Sequence, residues 1–322
     1  ELRVSDLSGI SIGMITDAAS VLRRQNQDWV LSLSGIGDGL GLPGRFSVNL
    51  STENDTDRFK GALTIDSWKL SELIDVVGLD RLDQAGTMSL TTSLNFTSSK
   101  ESGLDEVRLQ LTSQEGSEIT LFEDRFEVSA IDTDLVYNPG EDRLTIQKLM
   151  VDSSLFNGEV QGEITNLITP NALHDLTLSS NTFELDLTPY FPQVWLFEDG
   201  QLEATVSDDF RVIVLEGVSA SYDTLRFSAL GELDLNVQHR EGEIPFDLEL
   251  SAEAVGETQK ETVLSFWPET LGDGGRRFVR DRLEAGILTG VTAQMSFKPD
   301  SRAQGFLRDE DLNVEFGFKE GR

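Results

Sequence analysis

Four arginines, Arg276, Arg277, Arg280 and Arg282, fall within seven consecutive positions of "DGGRRFVRDR". At this density, and beside Trp267, guanidinium groups have the chemistry to hold an anionic head group through paired N–H donors. The competing reading is a short surface helix, Gly274 to Glu284, capped by Asp273. Its arginines would pair with Asp281 and Glu284, and Phe278, Val279 and Leu283 would turn inward. Elsewhere the chemistry is thin. The chain has two histidines, His174 and His239, and no cysteine. Thiolate chemistry and disulfides are excluded, and a zinc site of the usual kind is not expected. No G-x-S-x-G elbow accompanies His174 and Asp175, so both histidines are expected at the surface or at strand ends. Asp132, Asp134, Glu141 and Asp142 offer oxygen donors around the turn "NPGED". They lack the spacing of a calcium loop, and solvated acids are expected there. The chain is read as no enzyme, with no catalytic residue, no cofactor and no metal.

The elements that position these residues are strands. Met88, Leu90, Leu94 and Phe96 share one face of "TMSLTTSLNF", and Ile287, Val291, Ala293, Met295 and Phe297 share one face of "ILTGVTAQMSF". "RLTIQKLMV", "LRFSAL", "ELDLNV" and "FDLELSAEA" have the same two-residue period, which marks a strand with one buried face. Turn chemistry separates them at 138–142, in "HREGE" and in the glycine-rich 35–44. One helical stripe is expected at 67–83, carried by Leu70, Leu73, Ile74, Val77 and Leu82. A loose internal repeat of strand, short cap and strand recurs around residues 60–100, 183–235 and 262–322, with Gly86, Gly200 and Gly286 in equivalent places.

Roughly fifteen to eighteen strands of ordinary length follow from this pattern. Too few helices exist to cover their apolar faces, and leaving those faces in water forfeits about 1.5–3 kcal/mol per large side chain. Two architectures answer this. One is an elongated, curved antiparallel sheet, all-β with a few short helices, whose open apolar groove takes a ligand. The other is a set of tandem β-sandwiches. Acidic residues number 57 against 26 basic ones, for a net charge of −31. That balance argues against nucleic acid and against docking on an anionic bilayer, and suits a soluble outer surface. No stretch is long and apolar enough to span a membrane, and both ends read as cuts through a longer polypeptide.

The stretch "FWPETLGDGGRRFVRDRLEAGILTGVTAQMSFKPD" resembles a segment of the AsmA-like proteins, most closely the YhdP branch. The matching positions are Trp267, Pro268, Leu271, Arg276, Arg277, Gly286, Ile287, Thr289, Val291 and Ala293. The match is best over 262–322, with "LVYNPGEDRLTIQKLMV" and "LSELIDVVGLDRLDQAGTMSL" as further similar elements. The resemblance implies a middle segment, residues 1–322, of a longer periplasmic β-repeat protein with an inner-membrane anchor outside this piece. It implies phospholipid transfer between inner and outer membrane through an apolar β-groove, with acyl chains and the rest of its own chain as partners. Membrane contact would come only through regions outside residues 1–322. Met88, Leu90, Leu94, Phe96, Leu202, Val206, Ile287, Val291, Met295 and Phe297 are the groove-lining candidates, with Arg276, Arg277 and Arg280 for the head group. The alternative function is a structural or adhesive acidic β-sandwich array, stabilised by calcium.

Overall fold

The computed structural model describes residues 2–5, 11–25, 28–38, 44–53, 57–69, 88–113, 116–121, 124–188, 191–238, 240, 244, 246–267, 273–282, 287–303, 306–307 and 311–319. The chain is all-β and antiparallel, and it divides into two compact units, Glu1–Ser154 and Leu155–Arg322.

In the first unit the strands are β1 (Leu2–Ser5), β2 (Ser11–Gln25), β3 (Asp28–Asp38), β4 (Gly44–Glu53), β5 (Arg58–Lys69), β6 (Ser89–Ser99), β7 (Gly103–Ser113), β8 (Ser117–Leu121), β9 (Asp124–Asn138) and β10 (Arg143–Ser153). Strands β1 to β7 pair in chain order. The long β9 then pairs with β8 through its first half, with β7 through its second, and with β10. The register places Leu33, Val48, Leu63, Leu94, Leu109, Leu135 and Ile146 directly opposite one another across successive strands. On the other face the corresponding row is Ser34, Ser47, Thr64, Ser93, Gln110 and Asp134. Two-residue alternation along these strands therefore gives this part of the unit one apolar and one polar face.

The second unit holds β11 (Phe156–Thr165), β12 (His174–Leu185), β13 (Trp195–Val206), β14 (Val212–Tyr222), β15 (Leu225–Asp234), β16 (Asp247–Thr258), α1 (Lys260–Ser265), α2 (Asp273–Arg282), β17 (Ile287–Phe297), a small β18–β19 ribbon (Arg302–Ala303, Phe306–Leu307) and β20 (Leu312–Lys319). Its apolar row runs Ile164, Leu176, Ala204, Leu215, Gly231, Leu250, Met295, Leu312. A second row runs Leu178, Leu202, Val218, Ala229, Ala252, Ala293, Val314. In both units the sheet is open and does not close into a barrel, and the strands form continuous sheets in place of stacked pairs.

Bulges keep the inward phase where simple alternation would lose it. In β13, Glu198 and Asp199 are both exposed, Asp199 adopts φ 52°, and the inward set resumes at Gly200, Leu202, Ala204 and Val206. Gly200 thus lies inside a strand and does not open one. A Cβ there would sit 2.6 Å from the Phe183 ring, and one at Gly61 only 2.1 Å from the Phe96 ring, so a larger residue at either place would have to displace a phenyl ring.

Several expectations change. Ser67, Trp68 and Lys69, expected to begin a helix, finish β5, and the remainder of the 67–83 stripe lies outside the described residues. "LRFSAL" and the start of "ELDLNV" form one strand, β15. Gly35 to Asp38 belong to β3 and Gly44 opens β4, so the glycine-rich loop is shorter than read. Asp273 is the first residue of α2 and not its cap. Gly86, Gly286, Leu283, Glu284 and His239 lie outside the described residues.

Candidate apolar ligand site

Three alanines of the second unit, Ala252, Ala254 and Ala293, come together at one place on the apolar face. Ala252 and Ala293 face each other, as do Ala254 and Val291, with Phe227 across from Ala254. Over this shallow floor lies a cavity of about 310 Å³, at the lower end of the range for small-ligand sites. Met295, Leu312, Val314 and Phe316 continue the floor, and Trp195, Phe191 and Leu225 stand at its side. The roof is the turn after β16: Val263 of α1, Phe266 and Trp267.

The roof is held by rings. Phe266 stacks on Trp195 with centroids 4.9 Å apart and meets Tyr222 edge-on at 5.0 Å and Phe227 at 4.9 Å. Trp267 stacks on Phe316 at 5.4 Å, and Val263 packs with the buried Leu288. Such pairs contribute about 0.5–1.5 kcal/mol each beyond burial. One polar atom stands out in this apolar wall. The Trp195 side chain is 4% exposed, and its indole Nε1 has no hydrogen-bond partner among the described residues.

The candidate lining residues distribute unevenly. Val291 and Met295 line the cavity. Phe297 is buried beyond it with Ile244, in a cluster that shares Met295 and Leu312. Leu202 and Val206 lie on the inward phase of β13, and Val206 pairs with His174. Ile287 is out of phase. A register shift between Leu288 and Gly290 hands the inward place to Leu288, which alternation counted along the strand assigned to the other face. In the first unit, Leu94 and Phe96 are half-buried on the apolar face. Met88 and Leu90, each 1% exposed, are packed with Val128 and Ile131 and present no open surface.

Arg276, Arg277 and Arg280 do not line the cavity. Helix α2 reaches it through Gly275, which lies against the Trp267 ring, and buries Val279, whereas Phe278 is exposed, contrary to the inward position expected for it. Arg280 donates from Nε to Asp281 Oδ1 at 2.8 Å, and Lys260 Nζ donates to the Arg280 carbonyl at 3.2 Å. The Arg280 hydrogen bond, with the charges of Arg280, Arg277 and Lys260, holds the Asp281 carboxyl below its usual range. Arg276 is half-buried and Arg277 exposed on the same helix. The result is a cationic helix one side chain removed from the apolar space.

Other candidate groups resolve into structural roles. Asp132 and Asp134 lie within β9, where they pair with Lys148 and Arg108, and Glu141 pairs with Arg143. Tyr137 donates to Asp142 at 2.9 Å. These acids are engaged by neighbouring side chains and are not simply solvated. No cluster of three metal-ligating side chains occurs among the described residues. His174 does begin a strand, but it is buried, not at the surface. Its Nδ1 is 2.8 Å from the Asn166 carbonyl oxygen, its ring stacks on Phe210, and its Nε2 is 4.0 Å from Asp208.

Compared with protein-family models, with curated proteins and with solved structures, the chain finds no match in any of the three. Trp195, Phe227, Phe266 and the alanine floor were not among the sequence candidates. The signal available for the floor was the small size of Ala252, Ala254 and Ala293 on one face of two neighbouring strands, and reading it requires the register.

Proposed function

We propose that this chain carries apolar chains, the acyl chains of phospholipids, along the apolar faces of its sheets. It would do so as a periplasmic segment of an AsmA-like protein moving lipid between inner and outer membrane. The observation that carries the reading is the alignment of apolar side chains in unbroken cross-strand rows, with a cavity of about 310 Å³ set into them. Acyl chains lying there would supply the burial that a second sheet gives a sandwich. The cationic α2, reaching the cavity through Trp267, suits an anionic head group in contact with water. Transfer of this kind needs no catalytic residue.

The test is quenching by bromine-labelled phospholipid in a Trp29→Phe, Trp68→Phe background, which leaves Trp195 and Trp267 as reporters. Saturable quenching is expected. Met295→Asp should weaken it by at least about tenfold, because a carboxylate in an apolar site is costly. Leu90→Asp is not an equivalent probe, since its side chain is fully packed. Absence of quenching, with no lipid extracted from the protein purified from a bacterial periplasm, would end the proposal.

A further inference from the structure

His174 is 2% exposed, and its two ring nitrogens are unequally served. Nδ1 lies 2.8 Å from the Asn166 carbonyl oxygen. A carbonyl only accepts, so the neutral ring carries its proton there and leaves Nε2 as an acceptor. Nε2 has no hydrogen-bond partner among the described residues, and the group in front of it is another acceptor, Asp208 Oδ1 at 4.0 Å. Asp208 belongs to the turn between β13 and β14, residues 207–211, and that turn holds an unfavourable backbone. Phe210 has φ 56°, a left-handed conformation that bulky side chains rarely adopt, and its ring stacks on His174 at 4.9 Å. The other charged groups of these segments are already engaged. Asp209 accepts from the Ser207 hydroxyl at 2.6 Å and pairs with Arg211 at 3.8 Å. Asp175, on the opposite face of β12, accepts from Thr165 and Asn166.

His174 stands at the end of the second unit's apolar face, in a row continued by Val206, Ile213, Leu233, Leu248 and Phe297. We propose that His174 and Asp208 form a pH-operated clasp, which fastens the 207–211 turn and Phe210 over the end of that row. Histidine is the side chain that changes charge between about pH 5 and about pH 8. When Nε2 takes a proton from water, two facing acceptors become a charged donor and a carboxylate. A small rotation of the exposed Asp208 side chain then closes the 4.0 Å gap to a hydrogen bond. When the proton leaves, the clasp has no bond to make, and Phe210 keeps its strained φ through stacking and the turn's own hydrogen bonds. Burial disfavours charge on the ring, so the clasp operates only because Asp208 is there to pair with it. It does not depend on what the apolar face carries.

The experiment follows the imidazole nitrogens and the Phe210 amide of the full chain by NMR between about pH 5 and about pH 8. The two histidine rings are told apart with His239→Gln. His174 is expected to keep a proton on Nδ1 alone at the upper end and on both nitrogens at the lower end. The Phe210 amide donates to the Ser207 carbonyl at 2.8 Å, so its hydrogen exchange, corrected for the intrinsic effect of pH, reports opening of the turn. Its protection should rise about tenfold from the upper to the lower end, the low limit for a hydrogen bond to a charged group. Asp208→Ala should abolish that step. Asp208→Asn should abolish it as well, because the amide can donate to the neutral Nε2 and hold the turn throughout the range. A step that persists in either variant, or a His174 ring that stays neutral at the lower end, would overturn the proposal. Asp208 is exposed, so neither variant removes a core group, and the wild-type readings need no substitution.

Discussion

Arg108 and Asp134 face each other at the polar side of the first sheet, with Nε donating to Oδ1 at 2.7 Å and Gln110 adding a weaker bond at 3.4 Å. The Arg108 hydrogen bond holds the Asp134 carboxyl below its ordinary range. A carboxyl whose folded pKa is depressed contributes stability above its unfolded value, near about 3.9, and loses it as pH falls further. Asp134→Asn should therefore flatten the acid limb of a stability profile, read as urea midpoints between about pH 5 and about pH 2. An unchanged limb would show the pair to be worth nothing to the fold. Tyr137 moves the other way. Burial, then the bond to Asp142, pushes its hydroxyl up to about 12. Its contribution is whole below the ordinary tyrosine value of about 10 and is lost as pH climbs from there to about 12. None of these pairings could be located from the letters. The acids were visible, but their partners lie on strands whose register no local pattern specifies. Trp195 fails for a different reason. Its ring reads as ordinary core, and only the lack of an acceptor distinguishes it.

At the scale of the strand, alternation was a good guide until a bulge intervened. Leu94, Phe96, Val291 and Met295 fall on the apolar face because nothing interrupts the period between them. Ile287 does not, because the ladder slips between Leu288 and Gly290. A one-residue slip sends every later side chain to the opposite face, and the sequence carries no mark of it there. Register also creates a local conflict. Glu232 and Glu249 lie directly opposite on the exposed side of β15 and β16. Like charges so placed repel. Glu232→Thr should stabilise the second unit by about 0.2–1 kcal/mol, more at low than at high ionic strength because salt screens exposed charge. Urea midpoints at two salt concentrations check both parts, and a lower midpoint at low salt would contradict them.

At the scale of the whole molecule, the all-β architecture was legible from the period of the apolar residues, and the choice of open sheet over stacked sandwiches was not. That choice depends on how strands associate, and both solutions use the same alternation. What the sheets have in common is that each strand's partner is nearly always the next strand in the chain, from β1 to β7 and again from β11 to β17. Most of these connections are short, those from β5 to β6 and from β16 to β17 being the long exceptions, and short connections favour fast assembly. The unfinished edge at any moment is the strand most recently made, so the sheet can lengthen behind the ribosome one hairpin at a time. Chains stopped after β7 or after β14 should already protect the amides of their earlier strands from hydrogen exchange. Uniformly unprotected fragments would mean that the sheets form only when the chain is complete.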